Sequence, residues 1–385
     1  MTALFRPLGQ ASSTCTSQSL PDGTEGRPPP ARDGRQAAAP GILIEWDPAN
    51  IPEALDRLIS AHPESFTGPD ALPQRPVPFR MSVRSADVPP PILLHPSLQQ
   101  AQAGFIREQA RGVPVGAGNR NYKDCYAKLE VAVAITHLRV LAGERSPATL
   151  KAVAEGLDLP WLRSFVSFRH ECPGHAVLRM TPDETVRALR ETNEAVDRAV
   201  DPTGPVADTV AVVRRLRELF PGDRGILLAV CMQLIELDPG QAMVTPAGCL
   251  HTYLSGQALV LMSISENSLK VGLTKDYVDV GELQQLLSEV QPAPAPLPVV
   301  AVDDFQKRIP LWSEDLQLGH AVLGNTPRSI ELGRFSVVLA ALGDAEITVG
   351  DATTPIAQGS RVLYLGDPTS AVVRGPAQLF IASRT

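Results

Sequence analysis

Short apolar runs with alternating polar positions occupy both ends of the chain, and a helical pattern separates them. Period-two patterning predicts strands in the early segments ILIEW, VPFRMSVRS and PILLHP. A series of short runs from about residue 297 onward shows the same period, with turn signals such as LGD, QGS and RGP between them. This pattern is typical of a small antiparallel barrel. We therefore predict a mainly β protein with two barrel-like regions and a helical insertion.

Three amphipathic segments in succession predict the helical insertion. SPATLKAVAEGL begins with Ser146 as N-cap and Pro147 at the first helical position. TPDETVRALRETNEAVDRAV begins with a capping box of Thr181 and Glu184, and PVADTVAVVRRLRELFPGD is the third segment. Two earlier helices are predicted in IPEALDRLISAHP and SLQQAQAGFIREQARG, the second with Gly112 as C-cap. After the insertion, the run RGILLAVCMQLIEL predicts a return to strands.

Changes of pattern and composition predict the domain boundaries. Residues 1–40 are rich in Ser, Gly, Pro, Ala and Gln, and such a composition predicts a disordered or loosely packed arm. We expect a first barrel made of residues 41–142 and 224–296, interrupted by the helical insertion at 143–223. The second barrel is expected at 297–385.

Composition and charge narrow the class of partner. The 385 residues carry a net charge of -7 and no basic run, which argues against nucleic acid as a partner. No stretch of about 18 apolar residues is present, so we expect no membrane span. The five cysteines are odd in number and form no CxxC pair, which favours reduced thiols in a cytoplasmic protein. The expected partner is a small-molecule substrate; the oligomeric state is left open.

Histidines and carboxylates suggest two alternative metal sites. His95, Glu130 and His251 each lie at or near the end of a strand-like run. Two imidazoles and one carboxylate suit zinc, iron or manganese and leave open positions for water or substrate. The alternative is the compact cluster RHECPGH at residues 169–175. It lacks a partner motif and lies between two predicted helices, so we favour a loop there.

Four stretches of the sequence carry a family resemblance. NYKDCYAKLEVAVAITHLRVLAG is similar to NYKDxNHKPEMAVALTPFEALCG, and VPFRMSVRSADVPPPILLHPS to LPFLFKVLAAxxPLSIQVHPS. LDPGQAMVTPAGCLHTYLSG resembles LxPGEALFLPAGxLHAYLxG, and ISENSLKVGLTKDYVDV resembles NSDNVLRGGLTPKHVDV. These are blocks of the type I phosphomannose isomerase (mannose-6-phosphate isomerase) family, in the cupin superfamily. The resemblance covers about residues 70–385 and implies two cupin-like (jelly-roll) β-barrels with a helical domain, in a divergent member.

The resemblance also implies a ligand set. In that family, zinc is held by the Gln and His of QxHP, the Glu of HKPE and the His of PAGxxH. Carried over by position, the ligands are His95, Glu130 and His251, whereas the Gln position holds Leu93. The expected cofactor is therefore Zn²⁺ on three protein ligands, with Fe²⁺ or another divalent metal as the alternative.

Departures from the family pattern concern the substrate side of the site. The Arg of NVLRGG is Lys270, the Asp of NSDN is Glu266, and the Lys of HKPE is kept as Lys128. We expect these three residues to be catalytic, although Lys is a point charge where Arg offers a planar fork. Leu93, Pro91 and Tyr253 are expected to line the substrate pocket. Pro91 replaces the Ser of LSIQ, and the Lys of FKVL is Ser82; both changes suggest a weakened phosphate grip.

These features favour an enzyme of carbohydrate metabolism, specifically an aldose–ketose isomerase. The expected reaction is a metal-assisted proton transfer on a sugar-like hydroxy-carbonyl substrate. The altered positions favour a substrate other than mannose 6-phosphate. Three alternatives stay open: genuine interconversion of mannose 6-phosphate and fructose 6-phosphate, a different chemistry such as an iron-dependent one, and a non-catalytic scaffold. Metal content separates the scaffold from the catalytic hypotheses.

Overall fold

The computed structural model describes residues 42–46, 78–167, 173–287 and 293–384. The predicted arm at residues 1–40 and the predicted helix IPEALDRLISAHP lie outside the described residues. Of the five cysteines, Cys125, Cys231 and Cys249 are described, and all three are buried free thiols.

Eight helices lie in the described part of the chain: α1 Leu98–Ala110, α2 Pro147–Gly156, α3 Pro160–Ser167, α4 Pro173–Arg179, α5 Pro182–Arg198, α6 Gly204–Leu219, α7 Gly225–Cys231 and α8 Val280–Leu286. None of these helices combines the length and the apolar character that a membrane crossing requires.

The strands of the described residues pair antiparallel throughout and form four sheets. The first ten are β1 Ile42–Trp46, β2 Arg80–Ser85, β3 Ile92–Leu94, β4 Glu130–Ala134, β5 Leu138–Glu144, β6 Met232–Leu237, β7 Ala242–Thr245, β8 His251–Ser255, β9 Gln257–Met262 and β10 Leu269–Gly272. The others are β11 Pro296–Leu297, β12 Val300–Ala301, β13 Gln306–Ile309, β14 Leu316–Val322, β15 Arg328–Leu332, β16 Phe335–Leu342, β17 Ala345–Val349, β18 Ala352–Ile356, β19 Arg361–Leu365, β20 Thr369–Arg374 and β21 Gln378–Arg384.

The helix boundaries predicted from capping residues are confirmed. The Ser146 side chain accepts a hydrogen bond from the Thr149 backbone N–H at the start of α2. Thr181 and Glu184 form a reciprocal capping box at the start of α5. Gly112 follows the end of α1 with φ of 70°, in the left-handed region that glycine adopts without strain.

The prediction of strands throughout RGILLAVCMQLIEL is wrong for its first half, which is helix α7. All seven residues of α7 are buried. A helix buried on every side has no polar face, so its sequence shows no helical period and resembles a buried strand. The side chain of Asp223 accepts a hydrogen bond from the Gly225 backbone N–H and so supports the start of α7. Helices α3 and α4 also lie outside the three segments predicted for the insertion.

The described residues of 79–298 form one compact unit, which contains two five-stranded sheets. Sheet 1 has the strand order β10-β3-β8-β5-β6, and sheet 2 the order β11-β7-β4-β9-β2. Side chains from both sheets share one apolar cluster, so the sheets face each other. The other face of sheet 1 packs on the helices through Ile92, Leu94, Leu269 and Val271. Alternate residues of sheet 1 therefore point toward sheet 2.

The second compact unit consists, in its described part, of β1 and residues from 299 onward. It contains a seven-stranded sheet, β1-β19-β16-β21-β14-β13-β12, and a four-stranded sheet, β15-β20-β17-β18, with an apolar cluster of its own. Strand β1 pairs with β19, so it contributes to a sheet of this unit. The domain boundaries drawn from the sequence stay a prediction.

Candidate metal site

Strand pairing in the first unit brings together the dispersed residues His95, Glu130 and His251. His95 directly follows β3 and His251 begins β8, and these two neighbours in sheet 1 are in register at Leu93 and His251. Glu130 begins β4 of sheet 2, which faces sheet 1. The backbone N–H of Gly248, which has φ of 77°, donates to the His95 carbonyl at 2.8 Å. The PAG turn therefore ties the two histidine segments together.

The three side chains form a compact buried group. His95 Nε2 lies 3.5 Å from Glu130 Oε2, and His251 Nε2 lies 3.9 Å from Glu130 Oε1. The imidazole centroids are 4.7 Å apart, and one possible ligand atom from each residue lies within 4.8 Å of the others. His95, Glu130 and His251 are 0%, 3% and 2% exposed. Such buried polar groups require a partner, and a shared cation would supply one.

Hydrogen bonds orient each member of the group. His251 Nδ1 lies 3.1 Å from the Cys249 carbonyl, so Nδ1–H donates there and Nε2 keeps its lone pair toward Glu130. The Tyr253 hydroxyl donates to Glu130 Oε1 at 2.6 Å. His95 Nδ1 lies 3.4 Å from Ser268 Oγ, whereas the buried His95 Nε2 has no hydrogen-bond partner among the described residues. This unsatisfied nitrogen lies 3.5 Å from a Glu130 oxygen, where a shared cation would supply its partner.

The protonation states also fit a cation. Burial favours neutral Glu130, but the contact with His95, the charges of both imidazoles and the Tyr253 hydroxyl outweigh it and hold the pKa of Glu130 well below its ordinary value. Burial, followed by the neighbouring His95, lowers the pKa of His251 to about 4. At neutral pH the group is therefore a carboxylate beside a neutral imidazole, the forms that bind divalent metals.

Of the three predicted catalytic residues, Lys128 is linked to this group through Ser268. Its Nζ donates to Ser268 Oγ at 2.8 Å, and the same oxygen contacts His95. Burial is the main cause that lowers the pKa of Lys128. Ser268 was not among the site residues predicted from the sequence. The available signal was its position, where the family block NVLRGG has Val.

The other two predicted catalytic side chains are engaged with partners of their own. Lys270 is in register with Leu93 and therefore shares its face of sheet 1, but its Nζ forms an ion pair with Asp276. The Glu266 carboxylate pairs with Arg80 at 3.0 Å, and both side chains are more than half exposed.

Two of the three predicted pocket residues, Leu93 and Tyr253, lie beside the candidate ligands. Leu93 is in register with His251 and Lys270 and is partly buried. Pro91, also partly buried, comes immediately before β3. Tyr253 is 6% exposed, with its hydroxyl bound to Glu130. Of the alternative cluster RHECPGH, residues 169–172 lie outside the described residues and His175 lies in α4.

A buried polar network fixes the two loops that carry Lys128 and Ser268. The Asp124 carboxylate accepts from the Tyr126 backbone N–H, the Ser265 hydroxyl and the Glu266 backbone N–H. Asn267 donates to carbonyls of both Asp124 and Tyr126 and accepts from the backbone N–H of Lys123. The position of Lys128 against Ser268 therefore depends on the hydrogen bonds of Asp124 and Asn267, which join the two loops.

A buried His–Glu–His group between two facing antiparallel sheets defines a candidate metalloprotein of mixed, β-rich fold. No protein-family model matches the chain. Mannose-6-phosphate isomerase of Escherichia coli (strain K12) is 26% identical over 319 residues, which cover 79% of this chain and 78% of that protein. A zinc-bound mannose 6-phosphate isomerase structure matches with a TM-score of 0.76 and 24% identity, covering 86% of this chain and 85% of the other. The Salmonella typhimurium enzyme, solved with its substrate and zinc bound, matches with a TM-score of 0.75 and 23% identity, covering 86% of this chain and 85% of the other. The chain is a divergent homologue of the type I mannose-6-phosphate isomerases, which confirms the resemblance found in its motifs.

Proposed function

We propose that the chain is a divalent-metal-dependent isomerase that interconverts the aldose and ketose forms of a sugar-like hydroxy-carbonyl compound. The observation that carries the proposal is the buried group of His95, Glu130 and His251, in a chain homologous to mannose-6-phosphate isomerases. We extend the comparison to the architecture and propose that each unit is a cupin-like barrel.

Zinc is the proposed metal, held by His95, Glu130 and His251. The mixed nitrogen and oxygen donors suit zinc, and the solved relatives named above contain it. Three protein ligands leave a position for water or substrate, because Leu93 cannot serve as a fourth ligand. Bound there, the metal would polarise the carbonyl and hydroxyl oxygens of the substrate.

The protein's own side chains would handle the charge that develops as a proton moves between the two carbons. Lys128 is linked to the group through Ser268, and we assign to it the stabilisation of the enediolate oxygen. Lys270 is a weaker candidate because Asp276 already pairs with its charge. Glu266 would act only after release from Arg80. Leu93 would exclude water from one wall of the pocket.

The substrate is proposed to differ from mannose 6-phosphate, because Pro91, Leu93 and Lys270 replace polar or forked side chains of the family pattern. Genuine mannose 6-phosphate isomerisation is the second candidate, supported by the activity named for the relatives. The cytoplasmic location stays a prediction.

Metal content tests the proposal directly. Plasma emission spectroscopy would measure the metal content of the freshly purified parent and of two variants. The variants are Glu130→Ala and, as a matched control at an exposed glutamate of β15, Glu331→Ala. We expect about one zinc per chain in the parent and in the Glu331 variant, and loss from the Glu130 variant. Iron in place of zinc would favour the alternative chemistry.

An isomerase assay coupled to ketose formation, with mannose 6-phosphate tried first, would follow. Absence of metal from the parent after reconstitution, with circular dichroism showing a folded protein, would leave the non-catalytic scaffold.

A further inference from the structure

Three polar side chains alternate along β2, the edge strand of sheet 2. Arg80, Ser82 and Arg84 are in register with Met262, Val260 and Ala258 of β9. Residues directly opposite each other in an antiparallel pair point to the same face of the sheet. Met262, Val260 and Ala258 all belong to the apolar cluster between the two sheets. The three polar side chains therefore lie along the inner face of sheet 2, at its edge.

The same row leads to the candidate metal site. Glu130 of β4 is in register with Met262 of β9, and Met262 is in register with Arg80 of β2. Neighbouring strands lie about 4.8 Å apart, so two strand spacings, about 10 Å, separate the backbones of Glu130 and Arg80. An arginine side chain can span much of that distance.

Arg84 leans toward the site. Although Arg84 is in register with Ala258, its Nη2 reaches within 3.9 Å of Met262 Sδ, which lies along the strand toward Glu130. Lys128 comes two residues before Glu130, and the register partner of Glu130 is Met262, the residue that Arg84 contacts. Lys128 and the guanidinium of Arg84 therefore lie toward the same end of sheet 2. Register and this contact together place the Arg84 guanidinium on the Glu130 side of its own backbone position.

Arg84 also differs from the other cations in its partners. Arg80 is paired with Glu266, and Lys270 with Asp276. Within the ranges that the structure describes, no carboxylate lies within ion-pair distance of Arg84, and its side chain is exposed. Nearby, the buried Ser82 hydroxyl has no hydrogen-bond partner among the same residues. A clustered positive charge beside a carbonyl-binding site attracts an anionic ligand.

We propose that Arg84, supported by Lys128 and Ser82, binds an oxyanion group of the substrate, a phosphate or a carboxylate, and so determines specificity. A guanidinium binds such groups through two parallel hydrogen bonds. The proposal rests on the proposed function, because it assumes that the carbonyl of the same substrate lies at the candidate metal site. The proposal also revises the expectation of weakened phosphate binding. Ser82 stands where the family block has a lysine, but Arg80 and Arg84 lie on either side of it on the same face of the sheet.

Binding to the zinc-loaded full chain tests this inference. Titration calorimetry would use mannose 6-phosphate, glucuronate, unmodified mannose and inorganic phosphate as probes. The variants are Arg84→Gln, Arg84→Lys and, as matched control, Arg308→Gln at an exposed arginine of β13 in the other unit. We expect the parent to prefer one anionic sugar over mannose and to bind it about 10- to 100-fold more tightly than Arg84→Gln does. Arg84→Lys should recover part of the loss, and the control should bind as the parent does.

The probes identify the source of the oxyanion. Preference for mannose 6-phosphate indicates a phosphate, and preference for glucuronate a carboxylate. Equal binding of anionic and neutral sugars by the parent, or unchanged binding in Arg84→Gln, overturns the inference. Arg84-dependent anion binding by a chain that holds no metal would leave this site standing while the proposed function fails. Isomerisation of neutral sugars that does not depend on Arg84 would support the proposed function and refute the anion site.

Discussion

Leu93 lies directly opposite His251 across the β3–β8 pair, on the face of sheet 1 that points toward Glu130. The residue that stands where the family pattern has a glutamine ligand is therefore placed beside a candidate ligand. A leucine there leaves three protein donors, the number that keeps a coordination position open.

Restoring an amide at this position should tighten metal binding. In Leu93→Gln the new oxygen lies on the ligand face, and we expect zinc affinity to rise at least about tenfold, or ~1.4 kcal/mol. Leu93→Met, similar in volume without an oxygen, is the control. Competition against a zinc-binding dye gives the dissociation constants. Equal affinities for Leu93→Gln and Leu93→Met would show that the side chain at 93 does not reach the metal.

Tyr253 should act on the metal through Glu130. Tyr253→Phe removes a 2.6 Å hydrogen bond to Oε1, and loss of such a support to a ligand lowers metal affinity about 10- to 100-fold. The control is Tyr364→Phe, which removes a hydroxyl bonded to the Asp367 carbonyl at the same distance in the other unit. Both variants should lose about 1 kcal/mol of stability, but only the first should lose zinc. Unchanged zinc binding in Tyr253→Phe contradicts this role.

Gly104 should not tolerate a side chain. A Cβ at this position of α1 would lie 2.2 Å from Tyr122 Cε2, and the Tyr122 hydroxyl is held by Glu282. Alanine usually stabilises a helix relative to glycine by about 1 kcal/mol. Here the clash should instead lower the free energy of unfolding by about 2 kcal/mol or more. Denaturant unfolding would measure it against Gly118→Ala, where nothing lies within 4 Å. A stabilised Gly104→Ala would refute the contact.

His320 should make stability depend on pH. It is 4% exposed and stacked on Phe380; burial, with a smaller effect from the charge of Lys307, lowers its pKa to about 4. The unfolded value is about 6.5. As pH falls from 6.5 to 4, only the unfolded state binds this proton, so stability declines, by at most ~3 kcal/mol, and the loss ends below pH 4.

The test compares the parent with His320→Gln, which cannot titrate. Thermal unfolding from pH 7 to pH 4 should show a steeper decline for the parent. Parallel profiles for the two proteins would mean that this histidine is protonated equally in both states.

Local signals predicted local structure well. Ser146 and the pair Thr181 and Glu184 mark helix starts because capping is a bond between near neighbours in sequence. Helix α7 was not predicted, because a helix buried on all sides lacks the alternation of apolar and polar residues on which such a prediction depends.

The sequence by itself determined the helix starts, the alternating strands and, through the family motifs, the identity of His95, Glu130 and His251. It did so because caps, strand periods and motifs are properties of neighbouring residues. Only the tertiary structure decided that Ser268 links Lys128 to His95, that Asp276 neutralises Lys270, and that Arg84 leans toward the site. These relationships join segments that are distant in sequence or depend on where a long side chain points, and strand register and packing decide both.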